Sequence, residues 1–525
     1  MTAGELVEGA RGQGARGEDA PGEGTRGEGA SGEGTRGGDG RAEGAPGGAA
    51  AGVLVIGAGP TGLLLAAELE LAGIPVTLVD QATERSGQSR ALTLQPRSVE
   101  ILHSRGLLQP LLDAAVDQLP AGHFAGLPVT LDYSSWDTRF PYQLGVPQAR
   151  VEQHLENHLA THGIAVRRGL ELTSLAQDAD GVEASFADGT TIRAGWLVGC
   201  DGARSAVRKL TGIGFPGRDG RMSAVVADVV LDDNRAESNG RWELPSLVPR
   251  EGSILTLVPL GGGVHRVLFT GPEQQLLTRA DPIGFDEVSG ALSNWYGAEV
   301  VLREIRWASR FTDAARQADR YRAGRVFVAG DAAHIHSPTG GQGMNLGLQD
   351  AFNLGWKLAA YLNGEAPEEL LDSYHDERHP VAAAVLANTR AQGVLMIPDE
   401  DVACLRETFL DLLRVPEANH RLAGVISGLG IAYAPGDHPL IGQRMPDLEL
   451  GDGTSVAELL NPGRPLVLDL SDFAEAARVL VRPDGYVLWA TDDPAGQPGS
   501  DSSKASAVWA MASSSRSRMA SSAAR

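Results

Sequence analysis

Cysteine is nearly absent from this chain of 525 residues, which has Cys200 and Cys404 and no others. Two thiols are too few for a disulfide framework or a thiolate metal site, and they fit a reducing, cytoplasmic setting. Aromatic residues are scarce at 5%, which argues against a stacking platform for nucleic acid. Cations are outnumbered, with Lys+Arg 45 against Asp+Glu 67 and a net charge of −22. That balance repels phosphate backbones and anionic lipid and favours a small-molecule partner, although it equally serves solubility alone. No apolar run reaches the length of a membrane span, and the glycine- and charge-rich start resembles no signal peptide.

Hydrophobic residues make up 42%, enough for sizeable cores, and the length implies two or three domains. Residues 1–50 are glycine-rich and repeat GEGTRG at 22–27 and 32–37, a composition expected to be disordered. The stretch from about 491 to 525, rich in Ser and Ala and containing Trp509, is expected to be a second disordered tail. Between these ends, VLVIG, GAGPTG, LLLAAELELAG and IPVTLVD spell strand, glycine turn, helix and strand, a parallel βαβ unit. Helical spacing recurs at 98–116, 151–163 and 345–364, and in stretches after Pro367 to about 430. Short alternating or β-branched runs between about 215 and 310 imply an antiparallel sheet. PLVLDL and the hairpin-like RVLVRPDGYVLWA imply a last small unit at roughly 435–490.

The glycine turn carries the clearest chemistry. Gly57, Gly59 and Gly62 form G-x-G-x-x-G after a strand and before a helix, with Pro60 and Thr61 inside the turn. The first glycine permits the tight turn, the second lets the backbone approach a pyrophosphate, and the third lets helix pack on strand. The helix N-terminus then offers free N–H groups to the phosphates. Asp80 ends the second strand about 20 residues on, where a carboxylate can bind a ribose hydroxyl. This pattern defines a dinucleotide site without separating NAD from FAD.

Two further stretches separate them. WLVGCDGARSAVRKLTG (196–212) runs from a strand into Asp201-Gly202, and RVFVAGDAAHIHSPTGGQGMNLGLQDAFNLGWKLA (325–359) runs from a strand into Gly330-Asp331. In this order after G-x-G-x-x-G, they resemble the three fingerprints of the single-component (class A) FAD-dependent aromatic hydroxylases. SRALTLQPRSVEIL (89–102), VPQARVEQHL (146–155), IGQRMPDLEL (441–450) and LVRPDGYVLWA (480–490) are similar to further segments of that family, nearest to its actinobacterial aromatic-polyketide (angucycline-type) hydroxylases. The resemblance implies an α/β fold. A Rossmann-like FAD-binding domain (51–215 plus 316–400) would carry an inserted, mostly antiparallel β-sheet substrate domain (216–315), as in p-hydroxybenzoate hydroxylase. A C-terminal helical, thioredoxin-like domain (401–490) would follow. With no C-x-x-C, that last domain has no redox role. It also departs from the pattern by running into Ser/Ala sequence where relatives have an arginine-rich closing helix.

The resemblance also assigns roles. Gly57, Gly59, Pro60, Thr61, Gly62 and Asp80 would hold the FAD phosphates and ribose, Arg90 would reach the phosphates, and Gln148 would contact the flavin region. Asp201 and Gly202 would lie near the pyrophosphate, with Arg204 and Arg208 either attracting nicotinamide phosphates or standing as surface charge. Gly330 and Asp331 would meet the ribityl chain. The loop Pro338, Gly340, Gly341, Gly343 and the helix start at Met344 and Asn345 would face the isoalloxazine ring, with the Pro338 carbonyl at its reacting edge. Arg97 would either polarise a substrate oxygen or pair with Glu100 or Glu84. Trp242, His265, Arg266 and Phe269 are available on the substrate side, and no spacing selects one as a base.

The implied activity is a monooxygenase consuming NADPH or NADH and O2, which hydroxylates a polycyclic aromatic polyketide through a flavin C4a-hydroperoxide. Baeyer–Villiger insertion or oxidative rearrangement on the same scaffold stays open, as does a catalytically silent flavin-binding protein. A plain nicotinamide dehydrogenase would leave Asp201 and Asp331 without a task, and a halogenase would need a W-x-W-x-I-P signature that the chain lacks. The expected state is monomer or homodimer, with no nucleic acid and no membrane as partner. No metal is expected: His334 and His336 beside Asp331 look like ligands, yet the surrounding motif assigns the aspartate to the flavin.

Overall fold

The computed structural model describes residues 52–233, 242, 244–451, 453–470, 476–498, 503–514 and 520–521, so the expectation for residues 1–50 lies outside the described residues. β1 (Val53–Ile56), α1 (Pro60–Leu71) and β2 (Val76–Asp80) form the βαβ unit read from the sequence. β1 is buried along its whole length, as a strand covered on both faces must be, and this explains its unbroken apolar run. It pairs in parallel with β2 on one side and with β3 (Trp196–Gly199) on the other. α2 (Gln148–Thr161) packs against α1 and turns Val151, Leu155 and Leu159 inward.

A second sheet is built from β4 (Ser223–Asp233), β5 (Ile254–Gly261), β6 (Val264–Thr270) and β7 (Val300–Thr312), all antiparallel, in the order β5-β6-β4-β7. The period of two sorts its faces. Val225, Ala227, Val229, Val267 and Phe269 pack on Val288 and Leu292 of a helix, α3 (Phe285–Tyr296), that lies between β6 and β7. The opposite face presents Val226, Asp228, Thr256, Val258, Arg266, Leu268 and Trp307, mostly half-buried.

The chain then returns to the first sheet with β8 (Val326–Val328), which pairs in parallel with β3. α4 (Gly343–Leu362) and α5 (Glu369–Leu395) follow. α4 is almost wholly buried and packs on α1. Two helices, Glu400–Leu413 and Pro416–Ser427, come next. They share a core with Phe124, Leu127, Leu131 and Tyr133, so they belong with the body of the molecule. The last unit has a separate core that begins near Met445, some way past the expected boundary at 401.

The end of the chain differs from expectation. β9 (Leu466–Asp469), β10 (Arg478–Val481) and β11 (Val487–Thr491) make the anticipated hairpin-containing sheet. Residues 491–525, expected to be a disordered tail, instead supply α6 (Ser503–Ser514) and β12 (Ala520–Ser521), the latter pairing in parallel with β9. Val508 and Met511 are buried with Trp356, Ala360, Val467 and Leu480. The Ser/Ala composition hides a helix whose apolar side chains find partners far away in sequence, a tertiary contact that local patterning does not reveal. Among the described residues, no helix is long and apolar enough to cross a membrane.

Candidate active site

The glycines of the first turn divide their labour as the chemistry requires. Gly57 has φ +104, and a Cβ there would run into the Cys200 carbonyl; a Cβ on Gly62 would run into the Gly57 carbonyl. Gly59 has no heavy atom within 4 Å of where its Cβ would stand, so this is the open side of the turn. It is also the N-cap of α1, Pro60 follows at the first helical position, and no side chain caps the free amides. Asp80 buttresses the turn: Oδ2 accepts from the Ala58 N–H at 2.7 Å and Oδ1 from the Ala82 N–H at 2.8 Å. Thr61 wedges against Gly330, where a Cβ would lie 2.7 Å from its Oγ1, and so joins the first and third motifs.

The second motif is used differently. Asp201 Oδ2 accepts from the Ala206 and Val207 N–H groups at 2.7 and 3.0 Å, capping the short helix Ala206–Leu210, while Oδ1 is buried without a partner. Burial pushes its carboxyl up, against the hydrogen bonds that pull it down. Gly202 has φ +77 and open space around it. Arg208 is neither surface charge nor a free phosphate ligand. It is buried, donates to the Ala332 and Ala203 carbonyls at 2.7 and 3.0 Å, and lies over the Phe215 ring, binding the second motif to the third. Arg204 is exposed.

In the third motif Gly330 has φ +61 and Asp331 stands exposed at the cleft, within electrostatic range of the exposed Arg90. Gln148 holds the neighbouring segment: its Oε1 accepts from the Ala91 N–H at 3.1 Å and its Nε2 donates to Glu152 at 2.8 Å. The loop ahead of α4 turns tightly. The Pro338 carbonyl accepts from the Gly341 N–H at 3.0 Å, and Gly340 and Gly341 have φ +81 and +62, values closed to most side chains. Asn345 fixes this loop by donating to the Gly341 and Thr93 carbonyls at 2.7 and 3.1 Å and accepting from the Gln95 N–H at 2.8 Å. Gly343 and Met344 open α4, whose N-terminus has no side-chain cap. A planar group laid on the loop would therefore meet free amides at the positive end of a 20-residue helix.

Two groups, Gln95 and Asp350, had no assigned place in the sequence reading. Gln95 joins the loop to the body, donating to the Gly340 carbonyl and to Gln143 and accepting from the Tyr133 hydroxyl. Asp350, fully buried, accepts from the Gly330 N–H at 3.1 Å and Arg378 Nε at 2.8 Å and lies 2.6 Å from His334 Nε2. Burial would raise its carboxyl, but His334 and Arg378 hold it below the ordinary range. The signal for it was present: Asp350, Asn353 and Lys357 are spaced three and four apart within an apolar helix. His336, the second histidine of the loop, has Nδ1 at 2.7 Å from the Ser337 carbonyl, and burial lowers it to about 4, so it is neutral.

Arg97 takes the second of its two readings. Its guanidinium pairs with Glu100 at 2.9 Å and donates to the Asp484 carbonyl at 2.7 Å, which binds the C-terminal unit rather than a substrate oxygen. Of the residues named on the substrate side, Phe269 is buried against α3 and Trp242 donates to the Pro259 carbonyl at 2.5 Å. Arg266 is on the opposite, half-open face, paired with Asp228 at 2.8 Å through Nε and Nη2, while its buried Nη1 has no partner. That face and the glycine loop adjoin the same stretch of α5. Ile254 of β5 packs with Met396 just past α5, and Gln392 of α5 lies 3.6 Å from the Cβ position of Gly340.

The residues present fit FAD: an open backbone at Gly59, the Asp80 carboxylate at the end of the neighbouring strand, and a second uncapped helix N-terminus behind a glycine-rich loop. The family profile described as FAD binding domain matches residues 50–389. The chain is 43% identical over 486 residues to the 12-dehydrotetracycline 5-monooxygenase/anhydrotetracycline 6-monooxygenase of Streptomyces rimosus, covering 85% of this chain and 96% of that one. It is also 43% identical over 466 residues to the rifampicin monooxygenase of Streptomyces venezuelae, covering 84% and 96%. Among solved structures, the OxyS anhydrotetracycline hydroxylase from Streptomyces rimosus matches with a TM-score of 0.76 at 41% identity, covering 86% of this chain and 97% of that one. The chain belongs to the FAD-dependent aromatic hydroxylase family, as a flavoprotein monooxygenase with the p-hydroxybenzoate-hydroxylase-like fold.

Proposed function

We propose that this protein hydroxylates a polycyclic aromatic polyketide of the anhydrotetracycline type, with NADPH or NADH as reductant and O2 as co-substrate. The observation that carries the reading is the half-open face of the second sheet. It pairs an apolar floor of Val226, Thr256, Val258, Leu268 and Trp307 with one buried guanidinium whose Nη1 is unpaired. A flat, mostly apolar molecule bearing a keto or phenolic oxygen matches that surface. The relatives named for tetracycline chemistry support the same substrate class.

Each part of the chain has a task in this reading. Gly59, the α1 amides and Asp80 hold the pyrophosphate and ribose, and Asp331 with Arg90 borders the linking chain. Gly340 and Gly341 keep side chains out of the ring's plane, and the free amides at Gly343 to Asn345 favour negative charge beside them. FAD bound there supplies the two-electron chemistry and the activation of O2. Arg266 Nη1 orients the substrate by a charge-assisted hydrogen bond, and the apolar floor excludes water. Residues 51–215 with 316–400 serve the cofactor, 216–315 the substrate, and the C-terminal unit acts as a thioredoxin-like clamp without redox chemistry. The enzyme works in the cytoplasm as a monomer or homodimer.

Incubation of the purified protein with NADPH, anhydrotetracycline and isotopically labelled O2 tests this. One labelled oxygen as a new hydroxyl is expected. Label inserted into a carbon–carbon bond would replace hydroxylation by Baeyer–Villiger chemistry. Bound FAD that NADPH does not reduce faster with substrate, and no label uptake across a panel of polycyclic phenols, would leave a silent flavin-binding protein.

A further inference from the structure

The stretch HLENHLATH (154–162) repeats histidine every fourth residue, and the flavin site uses none of the three. In α2 this spacing places His154, His158 and His162 along one stripe. The structure separates them. His154 Nε2 lies 2.8 Å from the Leu107 carbonyl and is occupied there. His158 and His162 have their ring centroids 4.5 Å apart, and Glu70 in the last turn of α1 faces them. One donor atom from each of Glu70, His158 and His162 lies within 4.8 Å of the others.

Three further features mark this group as more than a surface coincidence. His162 Nδ1 lies 3.0 Å from the His158 carbonyl. A carbonyl only accepts, so Nδ1 carries the proton and Nε2 presents its lone pair outward. That is how histidine ligands are oriented by a second hydrogen bond in metal sites. Glu70 makes no salt bridge to lysine or arginine among the described residues, although Glu68, two positions earlier, is paired with Arg105. Both α1 and α2 end here, so the negative ends of two helix dipoles meet beside Glu70.

We propose that Glu70, His158 and His162 bind a divalent transition-metal ion of the zinc class, with water completing a tetrahedral set. Two imidazoles and one carboxylate suit zinc, and nickel or copper, over magnesium and calcium, which require oxygen ligands. The neighbouring elements define its role. α1 carries the pyrophosphate-binding turn at its other end, and α2 begins at Gln148, which holds Ala91 beside Arg90. An ion at the shared C-terminal ends fixes α1 to α2 and stabilises the cofactor domain without touching the flavin chemistry. It is distinct from His334 and His336, whose partners are Asp350 and the Ser337 carbonyl.

The test uses tag-free holoenzyme freed of metal by a chelator and held under reducing conditions. Titration with Zn2+ in a calorimeter should give one ion per chain. Saturating Zn2+ should raise Tm by at least about 2 °C, with the flavin spectrum unchanged. Magnesium should do neither. His162→Gln, at an exposed position where packing is not at stake, should weaken Zn2+ binding at least roughly tenfold, and Glu70→Gln should weaken it as well. All variants should match the parent's Tm in chelator, which separates lost ligation from lost folding. Absence of stoichiometric zinc binding would overturn the proposal. So would undiminished binding in His158→Ala/His162→Ala, which would place the ion elsewhere, or in Glu70→Gln, which would leave only a histidine pair.

Discussion

Gly59 and Gly62 are separated by two residues and differ in what a methyl group would meet. At Gly62 it would strike the Gly57 carbonyl and force the βαβ turn apart, whereas at Gly59 it would point into open space with an ordinary φ of −78. Gly62→Ala should therefore lower the Tm of the cofactor-free protein. Gly59→Ala should leave that Tm within about 1 °C yet weaken FAD binding roughly tenfold or more, by occupying the side from which a pyrophosphate approaches. Thermal unfolding of apoprotein and flavin titration separate the two. Arg266 is the other residue whose surroundings are incomplete. Asp228→Asn/Arg266→Met removes the ion pair without stranding a charge, so FAD content should stay at parent level. Affinity for anhydrotetracycline, read by fluorescence quenching, should fall roughly 10- to 100-fold, as expected for one charge-assisted hydrogen bond.

α4 carries more of the site than its apolar sequence advertises. Its N-terminus faces the glycine loop, while about two turns further on Asp350 holds Gly330, His334 and Arg378. The same face continues through Asn353 to Lys357, which pairs with Glu377 at 2.7 Å, and Glu377 in turn pairs with Arg482 of the C-terminal unit. Burial and the neighbouring Arg482 lower the Lys357 ammonium to about 8, with Glu377 opposing. Removing one partner from such a chain costs more than the chain itself contributes, because a charge is left buried and unpaired. Asp350→Asn should destabilise the protein by about 3–5 kcal/mol, measured by urea unfolding, and should release FAD more readily.

Across the whole molecule, charged contacts fasten the C-terminal unit to the cofactor domain. Arg105 reaches Glu68 and also the Leu460 and Pro483 carbonyls, Arg97 reaches the Asp484 carbonyl, and α6 covers Trp356. The fold is also sensitive to acid through two histidines. Burial lowers both His123 and His336 from 6.5 to about 4, so the unfolded chain binds protons more readily than the folded one between these values. Stability from both is fully present above pH 6.5 and is lost as pH falls toward 4. The urea midpoint should drop across that window, and His123→Asn/His336→Asn should flatten the drop. A midpoint in the parent that is constant from pH 6.5 to 4 would refute this.

Local pattern by itself determined the βαβ unit, the position of all three glycine motifs and the alternating strands of the second sheet, because these depend on the period of side chains and on backbone angles reserved for glycine. Such signals reside in a few neighbouring residues. Pairings across hundreds of residues were decided by tertiary structure alone. Arg97 had two partners open to it until Asp484 was brought beside it, and Arg208 became a buried tie once Ala332 lay within reach. The Ser/Ala stretch after 491 gained a helix because Trp356 and Leu480 form a surface for Val508 and Met511. Asp350 and Glu70 took their meaning from what folding placed opposite them, since a carboxylate's role is set by the charges and donors around it and its sequence neighbours do not fix those.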